Sequence, residues 1–189
     1  KKEKVDENEI CEPIGIYGAL KLSGEMIVKA YNQVFGLPYI IIRPSALYGE
    51  RCISRRVSQV FVENALSDKE IIIDGNGEEK LDFTYIKDLI EGISLSIFND
   101  KVSNETFNLT YGHSRTINTL LEITKKNFEN IKIRYQPRDK LMPKRGTLSI
   151  DKAKKLLGYS PTWNLEKGFN NYISWYKKLY SHYRNNEDS

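Results

Sequence analysis

The stretch IYGALKLSGEMIVKAYNQVFGLPYIIIRP, residues 16–44, decides the fold class. Its first part sets Leu20, Ile27, Ala30, Tyr31 and Val34 at helical spacing, which predicts a helix over 16–35. Gly36 and Pro38 follow as stop signals, since glycine takes the left-handed turn that ends a helix and proline cannot continue one. Tyr39-Ile40-Ile41-Ile42 is then a continuous apolar run closed by Arg43-Pro44. A run without polar alternation fits a strand covered on both faces, as in a parallel sheet.

The same alternation of elements continues outward. Helices are predicted over 57–67, from about 86 to 98, from 117 to about 128 with Thr116 as N-cap, over 149–157 ending at Gly158, and from Leu165 to about Tyr183. Strands are predicted at 71–73, 106–109 and 131–135, with a turn at Asp74-Gly75-Asn76-Gly77. Strands alternating with helices predict an α/β protein. The polar segment Lys1–Pro13 reads as a loop. Trp163, Trp175, Tyr172 and Tyr176 read as aromatic packing around the last helix.

Composition removes several classes of function. A net charge of +4 with well-mixed signs is too weak for a nucleic-acid surface but suits an anionic substrate. No stretch approaches the roughly 18 apolar residues of a membrane span, and the charged Lys1–Glu9 cannot be the apolar core of a signal peptide. Cys11 and Cys52 are the only cysteines, so free thiols in a reducing cytoplasm are expected. His113 and His182 lie far apart without a cysteine or carboxylate cluster, so no metal site is expected.

Chemistry concentrates in Tyr17-Gly18-Ala19-Leu20-Lys21. A tyrosine and a lysine four apart share one helical face, and a nearby ammonium favours the phenolate. Such a tyrosine can exchange a proton with a sugar hydroxyl while hydride moves to or from a nicotinamide. On spacing alone a plain surface pair is the commoner outcome. What decides is the order of four motifs. YGALKLSGE (17–25, after Glu12-Pro13), LPYIIIRPSALYGER (37–51), GNGEEKLDFTYIKDL (75–89) and KAKKLLGYSP (152–161) together resemble the extended short-chain dehydrogenases/reductases. Most closely, they resemble the NAD-dependent sugar-nucleotide epimerase/dehydratase family.

The resemblance implies the C-terminal part of a Rossmann fold with a small mixed α/β substrate-binding subdomain. Residues 1–51 would end the Rossmann domain, and 52–189 would be mainly the subdomain (52–80 and 104–150). It implies Tyr17 and Lys21 as catalytic and cofactor-binding residues, with Pro44, Ser45, Ala46 and Leu47 beside the nicotinamide. It implies NAD or NADP as cofactor, a nucleotide-diphosphate sugar as substrate, and a homodimer formed through the tyrosine helix and its neighbour. Met26, Val28, Tyr31, Phe61 and Val62 would supply the apolar surface of that contact. Ala46, Arg51, Leu81 and Arg145 would meet the substrate. Two positions depart from the family: Ala46 where many relatives have asparagine, and Leu81 where many have arginine. Leucine cannot make a charge-assisted hydrogen bond, so Arg51, Arg55, Arg56, Lys144 or Arg145 would replace that cation. The sequence holds no GxGxxG turn and no Ser or Thr before Tyr17. The resemblance therefore implies a chain that starts inside its parent enzyme, and isolated it is expected to be inactive.

Overall fold

The computed structural model describes residues 4–139 and 145–187. The first half runs β1 (Lys4–Val5), α1 (Gly15–Phe35), β2 (Ile40–Arg43), β3 (Leu47–Tyr48), α2 (Val57–Leu66), β4 (Ile71–Asp74), β5 (Lys80–Leu81), β6 (Thr84–Tyr85) and α3 (Ile86–Ile97). The second half runs β7 (Glu105–Asn108), β8 (Arg115–Thr116), α4 (Ile117–Asn127), β9 (Ile133–Gln136), β10 (Thr147–Leu148), α5 (Asp151–Leu157) and α6 (Leu165–Glu187). Strands pair two by two: β1–β10, β2–β7, β3–β6 and β4–β9 are parallel, and β5–β8 is antiparallel.

The predicted helices and longer strands are present, and their stops have the expected cause. Gly36 and Gly158 end α1 and α5 at φ +67° and +70°, a conformation that carries no side-chain penalty in glycine. Thr116 caps α4 by accepting from the Thr119 N–H at 3.1 Å. Gly75 and Gly77 form a turn at φ +75° and +78°. A Cβ on Gly77 would sit 2.0 Å from Asn118 Oδ1, so this turn also requires glycine for space.

Two apolar clusters form the core. The larger joins α2, β4, α4 and α6 through Phe61, Val62, Ile71, Leu120 and Phe169. The smaller joins α3, β7 and α5 through Leu89, Phe107, Leu109 and Leu157. Phe61 and Val62 are therefore core residues, not spare surface for a dimer contact; α2 is packed by β4, α4 and α6 at once. Strand β2 also differs from expectation. Only Ile41 is buried, Ile40 and Ile42 are half-buried, and one edge of the strand pairs with β7.

The cause lies in α1, which buries no residue completely. Gly18, Leu22, Glu25 and Asn32 face the body and are half-buried, while Ile16, Leu20, Ile27, Tyr31 and Val34 on the opposite face are exposed. The exposed residues form one continuous apolar stripe along the helix.

The two clusters are joined through carboxylates. Alternation along 81–83 turns Leu81 and Phe83 into the larger cluster and sends the Asp82 side chain the other way. Asp82 is fully buried. It accepts from Thr110 Oγ1 at 2.9 Å, from the Gly112 N–H at 3.1 Å and from the Leu148 N–H at 3.1 Å. Burial raises its pKa, and these bonds oppose the rise. Asp88, in the first turn of α3, likewise accepts from the Thr162 and Trp163 N–H groups at 2.9 and 3.0 Å. Asp82→Asn would turn an amide N–H toward existing donors. Leaving buried donors unpaired costs about 1–3 kcal/mol, so urea unfolding at neutral pH should show a loss of about 2 kcal/mol. An unchanged midpoint would show that this carboxylate does not hold the junction.

Candidate active site

Helix α1 brings Tyr17 and Lys21 together one turn apart. The Lys21 ammonium lies 5.6 Å from the Tyr17 ring centroid, within range of a cation–π contact. Tyr17 is 68% exposed, so its hydroxyl is not enclosed by any core. Gly18 is needed here for close approach: a Cβ would meet Pro13 Cβ at 2.9 Å, so only glycine lets the entering chain pack on the first turn. Further along the helix, Arg43 at the end of β2 grips Glu25, and that hydrogen bonding holds the Glu25 carboxyl below the ordinary carboxylate range.

The segment Pro44–Leu47 leads from β2 into β3. Ala46 sits at φ +37°, a region that asparagine tolerates better than alanine. Its carbonyl accepts from the Thr84 N–H at 3.4 Å, which ties the loop to β6.

A cavity of about 400 Å³ opens beside this loop. Its apolar wall includes Ala46, Phe61, Ile73, Leu81, Phe83 and Ile117. Four arginines, Arg55, Arg56, Arg138 and Arg145, line it together with Asp74 and Glu79. Arg55 and Arg56 immediately precede α2, whose first residues Val57 and Ser58 also line the cavity. Helix N-termini attract anions, so backbone and side chains act here with the same sign. Arg138 pairs with Glu79 at 3.1 Å, Arg55 pairs with Glu63 at 3.3 Å, and Asp74 accepts from Gln136 Nε2 at 2.7 Å.

Of the expected substrate residues, the cavity collects Ala46, Leu81 and Arg145, together with Arg55 and Arg56. Arg51 is exposed and does not line it, because the chain turns at φ +63° there. Lys144 lies outside the described residues. Arg138, Asp74 and Glu79 are additional cavity residues: Glu79 lies in the 75–89 motif and Asp74 in the turn before it, neither as an expected site residue, and Arg138 lies outside every motif. His113 is exposed and not part of the cavity wall.

The profile of the NAD dependent epimerase/dehydratase family matches residues 1–110. The chain belongs to the NAD dependent epimerase/dehydratase family. It is 31% identical over 182 residues to an uncharacterized UDP-glucose epimerase of Bacillus subtilis, covering 95% of this chain and 57% of that protein. Among solved structures it resembles the UDP-glucuronic acid 4-epimerase of Bacillus cereus in complex with UDP-glucuronic acid and NAD. The TM-score is 0.89 at 29% identity, over 95% of this chain and 58% of the other. It also resembles the UDP-glucose 4-epimerase of Thermotoga maritima with UDP-glucose, with a TM-score of 0.87 at 30% identity over 95% and 59% of the two chains. The chain thus spans a little over half the length of these relatives. Its fold is that of Rossmann-type epimerases, with parallel strands and a small mixed α/β part. Among the described residues no helix is long and apolar enough to cross a membrane.

The excess of guanidinium over carboxylate predicts selective uptake of pyrophosphate. Calorimetric titration should show pyrophosphate bound more tightly than phosphate, with affinity falling as salt is raised. Replacing both Arg56 and Arg145 by alanine should weaken pyrophosphate binding about tenfold, each exposed charge contributing up to ~1 kcal/mol. Equal affinity in the double variant would reject the cavity as an anion site.

Proposed function

We propose that this chain carries the proton-transfer and substrate-holding parts of an NAD(P)-dependent sugar-nucleotide epimerase/dehydratase, with 4-epimerisation of a UDP-sugar as its reaction. The observation that carries the reading is the pairing of Tyr17 with Lys21 on one turn of α1, in a family whose similar members include two 4-epimerases solved with UDP-sugars. The domain division proposed is 1–51 for the end of the Rossmann domain and 52–189 mainly for the substrate subdomain. On this division the larger cluster draws mainly on 52–189, with Tyr48 from the first part. The smaller cluster, which includes Phe107, Leu109 and Ile150 of the 104–150 range, packs against Ile40, Ile42 and Leu47 of the first part.

The accessible phenol and ammonium of Tyr17 and Lys21 fit a ribose and nicotinamide approaching from outside the described body. NAD, when bound, supplies reversible hydride transfer. The chain's own residues then act as follows. Lys21 holds a ribose hydroxyl and keeps positive charge beside Tyr17. The phenolate oxygen of Tyr17 takes the proton of the sugar hydroxyl as that carbon is oxidised, and returns it when the carbonyl is reduced. Arg56, Arg138, Arg145 and the N-terminus of α2 hold the diphosphate, while Phe61, Leu81 and Phe83 exclude water beside the nucleoside. Return of the hydride on the opposite face of the keto sugar inverts one carbon.

No glycine-rich dinucleotide turn lies among these 189 residues. On this reading the cofactor pyrophosphate is held mainly by residues outside them, and the isolated chain is inactive. The exposed stripe of α1 (Ile16, Leu20, Ile27, Tyr31 and Val34, with Met26 and Val28 at its margins) is proposed as part of a homodimer contact in a cytoplasmic enzyme.

The test is turnover of UDP-glucose by the full-length protein with NAD, followed by NMR. The expected product is the 4-epimer, with no net reduction of NAD. A 4-keto-6-deoxy sugar would instead assign dehydration, stoichiometric NADH would assign a dehydrogenase, and tight binding without turnover would assign a non-catalytic binding module. Tyr17→Phe should lower kcat by about 10²- to 10⁴-fold, the range of general acid–base catalysis, without unfolding the protein. Unchanged turnover would remove Tyr17 as the base.

A further inference from the structure

The helix that carries Tyr17 and Lys21 has almost no apolar grip on the described body. Its C-terminal end is tied by Asn32, which donates to the Leu37 carbonyl at 2.9 Å and to Asn104 Oδ1 at 3.1 Å. Its middle is tied by one ion pair. Arg43 Nε donates to Glu25 Oε1 at 2.8 Å, and Arg43 Nη2 donates to Glu25 Oε2 at 2.6 Å. Both side chains are largely covered, at 22% and 18% exposure. The remaining arm of the guanidinium, Nη1, donates to the Glu7 carbonyl at 3.2 Å. The Glu7 carboxylate in turn accepts from the Asn108 N–H at 2.8 Å, and the Arg43 carbonyl accepts from the Leu109 N–H at 3.3 Å. One guanidinium therefore joins the N-terminal segment, α1 and the β2–β7 pair.

Its place in the chain gives this clamp a consequence. Arg43 is the last residue of β2, so the loop Pro44–Leu47 leaves directly from it. Glu25 is eight residues from Tyr17 on a rigid helix, about 12 Å at 1.5 Å per residue. A two-point planar contact fixes direction as well as distance. A rotation of α1 at Glu25 is the same rotation at Tyr17.

We propose that the Glu25–Arg43 fork is the positioning device of the active site: it sets the rotation of α1 against the loop Pro44–Leu47, and so the direction of the Tyr17 hydroxyl. The proposal rests on Tyr17 being the proton acceptor. Glu25 and Arg43 are positioning residues and touch no substrate. Neither lines the cavity, whose walls come from the 46 loop, α2, β4, the 79–83 segment, Ile117, Arg138 and Arg145. Loss of the fork must therefore separate turnover from substrate binding.

The experiment compares Arg43→Lys, Glu25→Gln, the exchange Glu25→Arg with Arg43→Glu, and Tyr17→Phe in the full-length protein with NAD and UDP-glucose. Lysine keeps the charge but loses the fork. A misplacement of about 1 Å can cost up to roughly 100-fold in rate, so both single variants should lower kcat by about 10- to 100-fold. The KM for the sugar nucleotide should stay within about twofold, with melting curves showing folded protein. The exchanged pair should recover about tenfold over the worse single variant. A folded Arg43→Lys enzyme with parental kcat overturns the proposal, as does a loss that appears wholly in KM. If Arg43→Lys fails to fold, Glu25→Gln carries the same comparison. An inactive Tyr17→Phe beside a fully active Arg43→Lys defeats positioning alone. A fully active Tyr17→Phe defeats the base assignment and the positioning proposal together.

Discussion

The buried carboxylate of Asp82 is the constraint on which the two halves of this structure depend. It stands between Leu81 and Phe83, which line the cavity, and it faces the opposite way, toward the segment after β7 and the end of β10. Its bonds to Thr110, Gly112 and Leu148 fix where the cavity wall sits relative to the parallel strand pair. A buried carboxylate is costly to desolvate and is tolerated where donors converge on it. Asp88 repeats the arrangement in the first turn of α3 and captures the segment leading to α6. A cavity built by one cluster and the β2–β7 pair, to which the Arg43 fork ties the tyrosine helix, are thereby held in one frame.

Electrostatics divide in the same way. The helix side relies on the Arg43 fork, a directional contact that orders one pair of residues. The cavity side relies on a surplus of guanidinium groups at the N-terminus of α2, where direction matters less than sign. Leu81 contributes an apolar wall, and Arg138, arriving from the segment after β9, brings a cation to the same cavity. Its pairing with Glu79 keeps that cation compensated within the cavity.

Much of this was legible in the sequence, and the failures share a cause. Helices α1, α2, α4 and α5 and strands β2, β4 and β7 announce themselves by apolar spacing and by Gly36, Thr116 and Gly158 at helix ends. The two-residue strands β1, β3, β5, β6, β8 and β10 have no period to detect; they exist because tertiary pairing brings their partners near. Tyr17 and Lys21 could be read because one helical turn relates them. Arg138 and Asp74 could not, since β4 and β9 become neighbours only through long-range pairing. Arg51 stays outside the cavity although it is near the loop in sequence; the chain makes a left-handed turn there. Phe61 and Val62 looked like surplus surface because a helix packed by three elements buries more than one stripe.

The central claim is that the tyrosine on α1 and the cavity behind Leu81 serve one substrate. A crystal structure of the full-length protein with NAD and UDP-glucose tests it most directly. The account predicts the diphosphate beside Arg56, Arg138 and Arg145, and the Tyr17 hydroxyl within about 3 Å of the sugar hydroxyl that is oxidised, the reach a general base requires. A nucleotide bound outside the cavity, or a Tyr17 hydroxyl directed away from the sugar, would contradict it.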